Sequence, residues 1–485
     1  MGGMLMVFSM ICPVWAETVT IDRELLEKIL QRQDRLEKEV ERLKERVREK
    51  REKKALPAAV PDAEDIRYMK EDVEEMSERL DTVERKSILD KIQLGGDFRV
   101  RMDSYHYRDH EFNGQKEDGS TDELWSSRFR LTLRSDITDD ITFHGRLNYF
   151  KLWGDSNYES VIAFDTLYPS IPDSEGNLHV ERAYVDYFVP ETPLSLTFGR
   201  IPLNEGPPNE LRDHTSRKGT WPKVVYDGEG DGIIMNLSLD KWTGLENAMF
   251  RLGYYKLFQN YQKYKGVKID DWRGYVASFE TEIPGVRDSL FWIGYTRAED
   301  ITPLFDVSEI SYPEDFGDVE YYNAHFHLND IMNSGLDCFF SIAWSHISPS
   351  SEGTILTPAY EAGVYGDTLH GDLGKSRNAH CIYAGLRYRL PAKSLKYPCA
   401  GFEYNYGSKH WLGTAASGDI VNKLLINGDA YEVYYIQPIH ERHMFLRIGA
   451  VYMDYDYDNP MYYIGSQPES DMSLLNFYFL THVRF

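Results

Sequence analysis

The sequence predicts a transmembrane antiparallel β-barrel of about sixteen strands, preceded by an α-helical coiled coil. Three observations predict it. From residue 92 onward apolar and polar residues alternate in short runs, the period of a strand with one oily face. The links between runs are alternately short (137–140, 190–193, 284–287, 440–441) and long (106–122, 154–177, 202–230, 347–377, 454–473). Short turns at one rim and long loops at the other are what a closed membrane barrel needs. Finally, the last strand places Phe477, Phe479, Thr481, Val483 and Phe485 on one face, opposite Tyr478, Leu480, His482 and Arg484.

In chain order, residues 1–16 read as a secretory signal: Leu5 to Ile11 is an apolar core and Val14-Trp15-Ala16 ends on a small residue. Its first residues carry no Lys or Arg, which departs from the usual pattern. Residues 17–54 carry Leu26, Gln33, Val40 and Val47 at one heptad position and Ile29, Leu36 and Leu43 at another, a first coiled-coil segment. Pro57 and Pro61 break it in a 55–64 hinge, and Ile66, Met69, Val73, Met76, Leu80 and Val83 build a second segment over 65–90. Valine with leucine in the heptad favours two strands, while Gln33 admits three, so a homo-oligomer is expected, with a trimer preferred.

The barrel then occupies residues 91–485. Strands are expected near 92–105, 123–136, 140–153, 178–189, 193–201, 231–239, 247–258, 271–282, 288–298, 319–328, 334–346, 378–389, 398–408, 430–438, 442–453 and 474–485. A mean hydropathy of −0.49 and the absence of a long apolar run exclude a helical membrane protein. Alternating barrel strands average to so weak a signal, and 34 Tyr suit interfacial girdles. A net charge of −24 argues against a nucleic-acid partner.

With the apolar face turned to lipid, Arg99, Arg101, Arg128, Arg130, Arg134, Arg146, Arg182 and Arg200 on the first five strands point inward, joined across the closure by Arg447, Arg484 and, further off, Arg387 and Arg389. This basic, pore-lining wall needs counter-charge or solvent, and a water-filled channel supplies both. The third long loop, 202–230, runs Leu203-Asn204-Glu205-Gly206-Pro207-Pro208-Asn209-Glu210-Leu211-Arg212-Asp213. Folded inward, its Glu205, Glu210 and Asp213 would face the arginines and constrict the lumen. The ending on Phe485, with Phe477, Phe479 and Val483, resembles the C-terminal strand of bacterial outer-membrane barrels, which the barrel-assembly machinery reads. Gly-Arg-x-Pro at 199–202, Glu-Gly-Pro-Pro at 205–208 and the leading coiled coil resemble a poorly characterised family of coiled-coil-bearing outer-membrane barrel proteins, and the whole is porin-like. That resemblance implies passive transport of small solutes, outer-membrane lipid around the barrel and the coiled coil in the periplasm.

Two acidic spacings, Asp227/Glu229/Asp231 and Asp454/Asp456/Asp458, offer calcium-type ligands without a full binding-loop pattern. Cys338, Cys381 and Cys399 read as free thiols, Cys381 and Cys399 lying too far apart to bridge. His144, His325 and His482 read as polar strand positions. No haem, phosphate-loop or hydrolase motif occurs, so neither cofactor nor enzymatic activity is expected. The function expected is a diffusion channel for small hydrophilic or charged solutes. The alternatives are a plugged structural barrel whose coiled coil tethers the outer membrane to peptidoglycan or a periplasmic partner, and a sheath for a separate electron carrier.

Overall fold

A computed structural model of the protein describes residues 92–112, 115–154, 178–256, 271–300, 317–349, 376–413, 421–440, 443–457 and 469–485. The signal segment, both coiled-coil segments and their hinge lie outside the described residues. Sixteen strands form the sheet. They are β1 (Ile92–Phe112), β2 (Gln115–Thr138), β3 (Ile141–Leu152), β4 (Leu178–Phe188), β5 (Leu194–Ile201), β6 (Gly230–Ser238), β7 (Met249–Lys256) and β8 (Arg273–Thr281). The second half comprises β9 (Leu290–Glu299), β10 (Gly317–Leu328), β11 (Leu336–Pro349), β12 (Arg377–Arg389), β13 (Cys399–Gly407), β14 (Asn427–His440), β15 (Met444–Tyr457) and β16 (Ser473–Arg484). Each strand pairs antiparallel with its sequence neighbours, and β16 returns to β1, so no edge is left open. No described helix is long and apolar enough to cross a membrane.

One expectation fails at the first hairpin. Residues 106–122, read as a long loop, continue the ladder, with Tyr107 opposite Gly119 and Glu111 opposite Lys116. The ladder is irregular there, with register shifts between Asp103 and Tyr105 and between Tyr107 and His110, so strand pairing continues without a strict alternation in the sequence.

The two faces sort by chemistry. Phe98, Ile233, Ile293, Phe340, Trp344 and Ile448 stand exposed on the outer face. Asp97, Arg99, Arg101 and Asp103 on β1, Arg128 and Arg130 on β2, and His482 on β16 point inward and are buried. The interior is not an empty tube. Loop residues Leu203, Leu211, Trp221, Val224, Val225 and Tyr226 form one buried cluster with Trp292, Tyr321, Phe339 and Tyr383 of the wall and Trp411 and Leu412 of the β13–β14 connection. Burying these aromatics and aliphatics, each worth about 1.5–3 kcal/mol relative to exposure, draws the loop inside.

Candidate functional site

The loop 202–229 connects β5 to β6 and carries one short helix, α1 (Asn209–Arg212). Its first contact is with the arginine wall. Arg130 Nη1 donates to Glu205 Oε1 at 2.7 Å, while Arg146 Nη1 and, at 3.2 Å, Arg182 Nη2 donate to Oε2. Asn204 accepts from Arg146 at 2.9 Å and from Arg182, and donates to Glu181 Oε1 at 2.8 Å. Burial opposes ionisation of Glu205, but Arg146 and Arg130, with Lys218 and Arg182, hold its carboxyl well below the usual carboxylate range. Glu205 takes a left-handed backbone, φ 59°. At this point the descending and returning limbs of the loop touch: a Cβ on Gly206 would lie 1.6 Å from the Trp221 carbonyl oxygen. Only glycine allows that approach.

Glu181 is the residue that sequence alternation misses. The ladder between β3 and β4 slips after the Arg146–Arg182 pair, with Leu147 opposite Val180, so Glu181 is an extra residue. A β-bulge turns two successive side chains to one face. Both Glu181 and Arg182 therefore point inward and are buried. Glu181 accepts from Arg130 at 2.5 Å and lies 2.6 Å from Arg146 Nε. Two adjacent charged residues at the point where the apolar phase of β4 shifts were the available signal.

Across the lumen the loop meets the other wall. His327 on β10 lies 3.1 Å from Glu210. Arg387 bonds Asp337 and donates to the Leu211 carbonyl at 3.1 Å. Arg212 donates to Glu432 at 3.0 Å, and Glu432 with Glu403 also holds Lys423 from the β13–β14 connection. Arg447 donates to the Arg212 carbonyl at 2.7 Å, and Arg484 donates to the carbonyls of Asp213 and His214. Burial, with Arg387 and Arg484 close by, pushes His214 down to about 4. A cavity of about 10 Å³ beside Arg101, Arg212 and Lys423 holds no more than about one water.

Several expected placements change. Of the loop acids Glu205 meets the arginines of β2–β4 and Asp213 lies 3.5 Å from Arg447 of the same wall, whereas Glu210 on α1 is carried past them to His327 of β10. The wall's counter-charge includes Asp97, Asp103, Glu181 and Glu205. His482 joins Arg128 on Asp97, at 3.3 Å. Arg134 keeps the inward phase but sits half-exposed near the β2–β3 turn, paired with Asp136. Arg389 is likewise exposed near its turn. Arg200 leaves the series altogether. It shares the outward phase of Phe198 and pairs across the ladder with Asp231, and Glu229 also binds it.

That arrangement removes the first acidic spacing as a cation site. Asp227 is bound by Lys223 and by the Glu205 backbone N–H, Glu229 by Arg200 and His179, and Asp231 faces outward. Asp454 and Asp456 project from the outward phase of β15, and Asp458 lies outside the described residues. Among the described residues no three His, Cys, Asp or Glu side chains converge in metal-binding geometry.

Over residues 118–476 the sequence matches the family described as Protein of unknown function (DUF3373). The chain belongs to that family. Solved structures similar to this DUF3373 member include OmpT, an outer membrane protein of Vibrio cholerae in trimer form, at 11% identity. The match covers 81% of this chain and 99% of that one with a TM-score of 0.42. OmpF of Salmonella typhi in complex with daunomycin is similar at 12% identity over 82% and 98%, TM-score 0.45. No curated protein matches the sequence.

Proposed function

We propose that the chain is an outer-membrane channel for small hydrophilic solutes whose lumen is closed at rest by the loop 202–229. The observation that carries this reading is the two-sided clamp on that loop. A buried inward residue can be named on each strand, from Arg101 on β1 through Ile234 on β6 and Tyr321 on β10 to Tyr478 on β16. The two sides hold differently. Towards β9–β12 the grip is largely apolar, through Trp221, Val224, Val225 and Tyr226. Towards β2–β4 it is Asn204 and Glu205 on arginines. The charged side is the seam that can open, since water or another anion can replace Glu205 on its arginines whereas the apolar side has no such substitute. Opening then proceeds along Arg99, Arg101, Arg128, Arg130, Arg146 and Arg182, with Arg134 at the mouth.

In this reading the barrel sits in outer-membrane lipid, inserted by the barrel-assembly machinery through Phe477, Phe479, Val483 and Phe485. The coiled coil projects into the periplasm and gathers a homo-oligomer, and transport rather than catalysis is the activity. The completeness of the clamp, reinforced by Lys423 from the second connection, also favours a plugged structural barrel tethered through its coiled coil to peptidoglycan or a periplasmic protein. Planar-bilayer conductance separates the two. The channel reading expects rare steps from the native protein and frequent ones after residues 206–219 are replaced by a short Gly/Ser link. A folded barrel that stays silent after that replacement sinks it and leaves the tether.

A further inference from the structure

We propose that Arg130, Arg146 and Arg182 form an oxyanion-binding site, that Glu205 is its built-in occupant, and that the permeant solute is a small carboxylate or phosphate that takes Glu205's place. The inference deepens the channel reading, and its functional consequence rests on it.

Three guanidinium groups from three adjacent strands converge on the two oxygens of one carboxylate. The planar fork of arginine fits polyatomic oxyanions, whose paired oxygens take both limbs of a fork, better than a monatomic anion, which offers one acceptor atom. The occupant belongs to the loop and the arginines to the wall, so Glu205 can leave while its site remains. Once it leaves, Glu181 beside the arginines and Asp97 farther off on β1 are the wall acids that still act on them, and the site is left net positive. An empty site of that kind demands an anion. The left-handed backbone at Glu205 is an additional local cost of holding it there. Lys218, exposed and next to Gly219, which packs on Asn204 and Glu205, is among the charges acting on Glu205 and adds to the positive field an arriving anion meets.

A tethered carboxylate competes at an effective concentration of order millimolar, so it masks the site against dilute ligand. Titration calorimetry of the full chain folded in detergent, with inorganic phosphate in one arm and succinate in the other, tests this. Glu205→Gln is expected to bind at least one of the two at least tenfold more tightly than the native protein. Adding Arg146→Gln to that variant is expected to abolish the gain, and chloride is expected to compete poorly. The arm that gains names the solute. Should Glu205→Gln not fold, Glu205→Asp, whose carboxylate is drawn back by one methylene, is expected to show a smaller gain of the same sign. Unchanged affinity for both probes in the folded variants overturns the site, whatever the conductance. Tight binding by a barrel that never conducts keeps the site and overturns the channel reading instead.

Discussion

At Glu181 a single inserted residue decides the chemistry of the lumen. Strict alternation from Arg182 would turn Glu181 to lipid, and the bulge returns it to Arg130 and Arg146. A strictly kept period hides such a slip, since one residue reverses every assignment beyond it, and only the change of apolar phase between Val180 and Ala183 betrays it. Arg200 shows the opposite failure: two residues from exposed Phe198, its outward phase was legible, yet its charge invited an inward assignment. The two positions predict different costs. Glu181→Ala leaves two buried arginines short of counter-charge and is expected to destabilise the barrel by about 3–5 kcal/mol in denaturant unfolding. Arg200→Ala removes a part-exposed pair and is expected to cost under about 1 kcal/mol, without altering ion selectivity in bilayers.

The inward fold of the 202–229 element was legible in outline, and its apolar content was the stronger clue. Leu203, Leu211, Trp221, Val224 and Val225 make a loop too apolar to lie in water, and all are buried. Which wall each acid would meet was not legible, because that depends on where α1 turns the chain. Two outcomes belong to this element. Gly206→Ala forces its Cβ onto the Trp221 carbonyl and is expected to part the two limbs, raising open probability in bilayers while the barrel remains folded. The pH response follows from the lowered Glu205 carboxyl. A group whose native value is depressed contributes stability that is present above its ordinary value, about 4.3, and is lost only as pH falls through the depressed one. Conductance of the native protein is therefore expected to stay low from pH 7 to about pH 4.5, with the latch failing only in stronger acid.

For the barrel the strand count, the phase of most strands and, after the first hairpin, the alternation of turn lengths were readable, because closure in a membrane imposes a period of two on most of each strand. What the sequence could not show is how tightly the seam is made. Phe485 carries the last ladder bonds, its carbonyl accepting from Gly96 N at 3.0 Å and its N–H donating to Gly96 O at 3.1 Å. Its ring stacks near Phe129, centroids 6.3 Å apart, over the bare α-carbon of Gly96. A Cβ at Gly96 would lie 2.6 Å from that ring and 2.4 Å from the Arg130 carbonyl, whereas one at Gly95 would find its nearest contact at 3.4 Å. The two neighbouring glycines therefore differ in what a methyl group meets: the β2 backbone and the Phe485 ring at Gly96, and only an ordinary contact at Gly95. Gly96→Ala is expected to lower the yield of compact, heat-modifiable barrel on unheated gels severalfold, because β16 can no longer dock its end against β1. Gly95→Ala is expected to assemble near the native level. Equal yields from the two variants would show that the barrel closes without the close packing of Phe485 over Gly96.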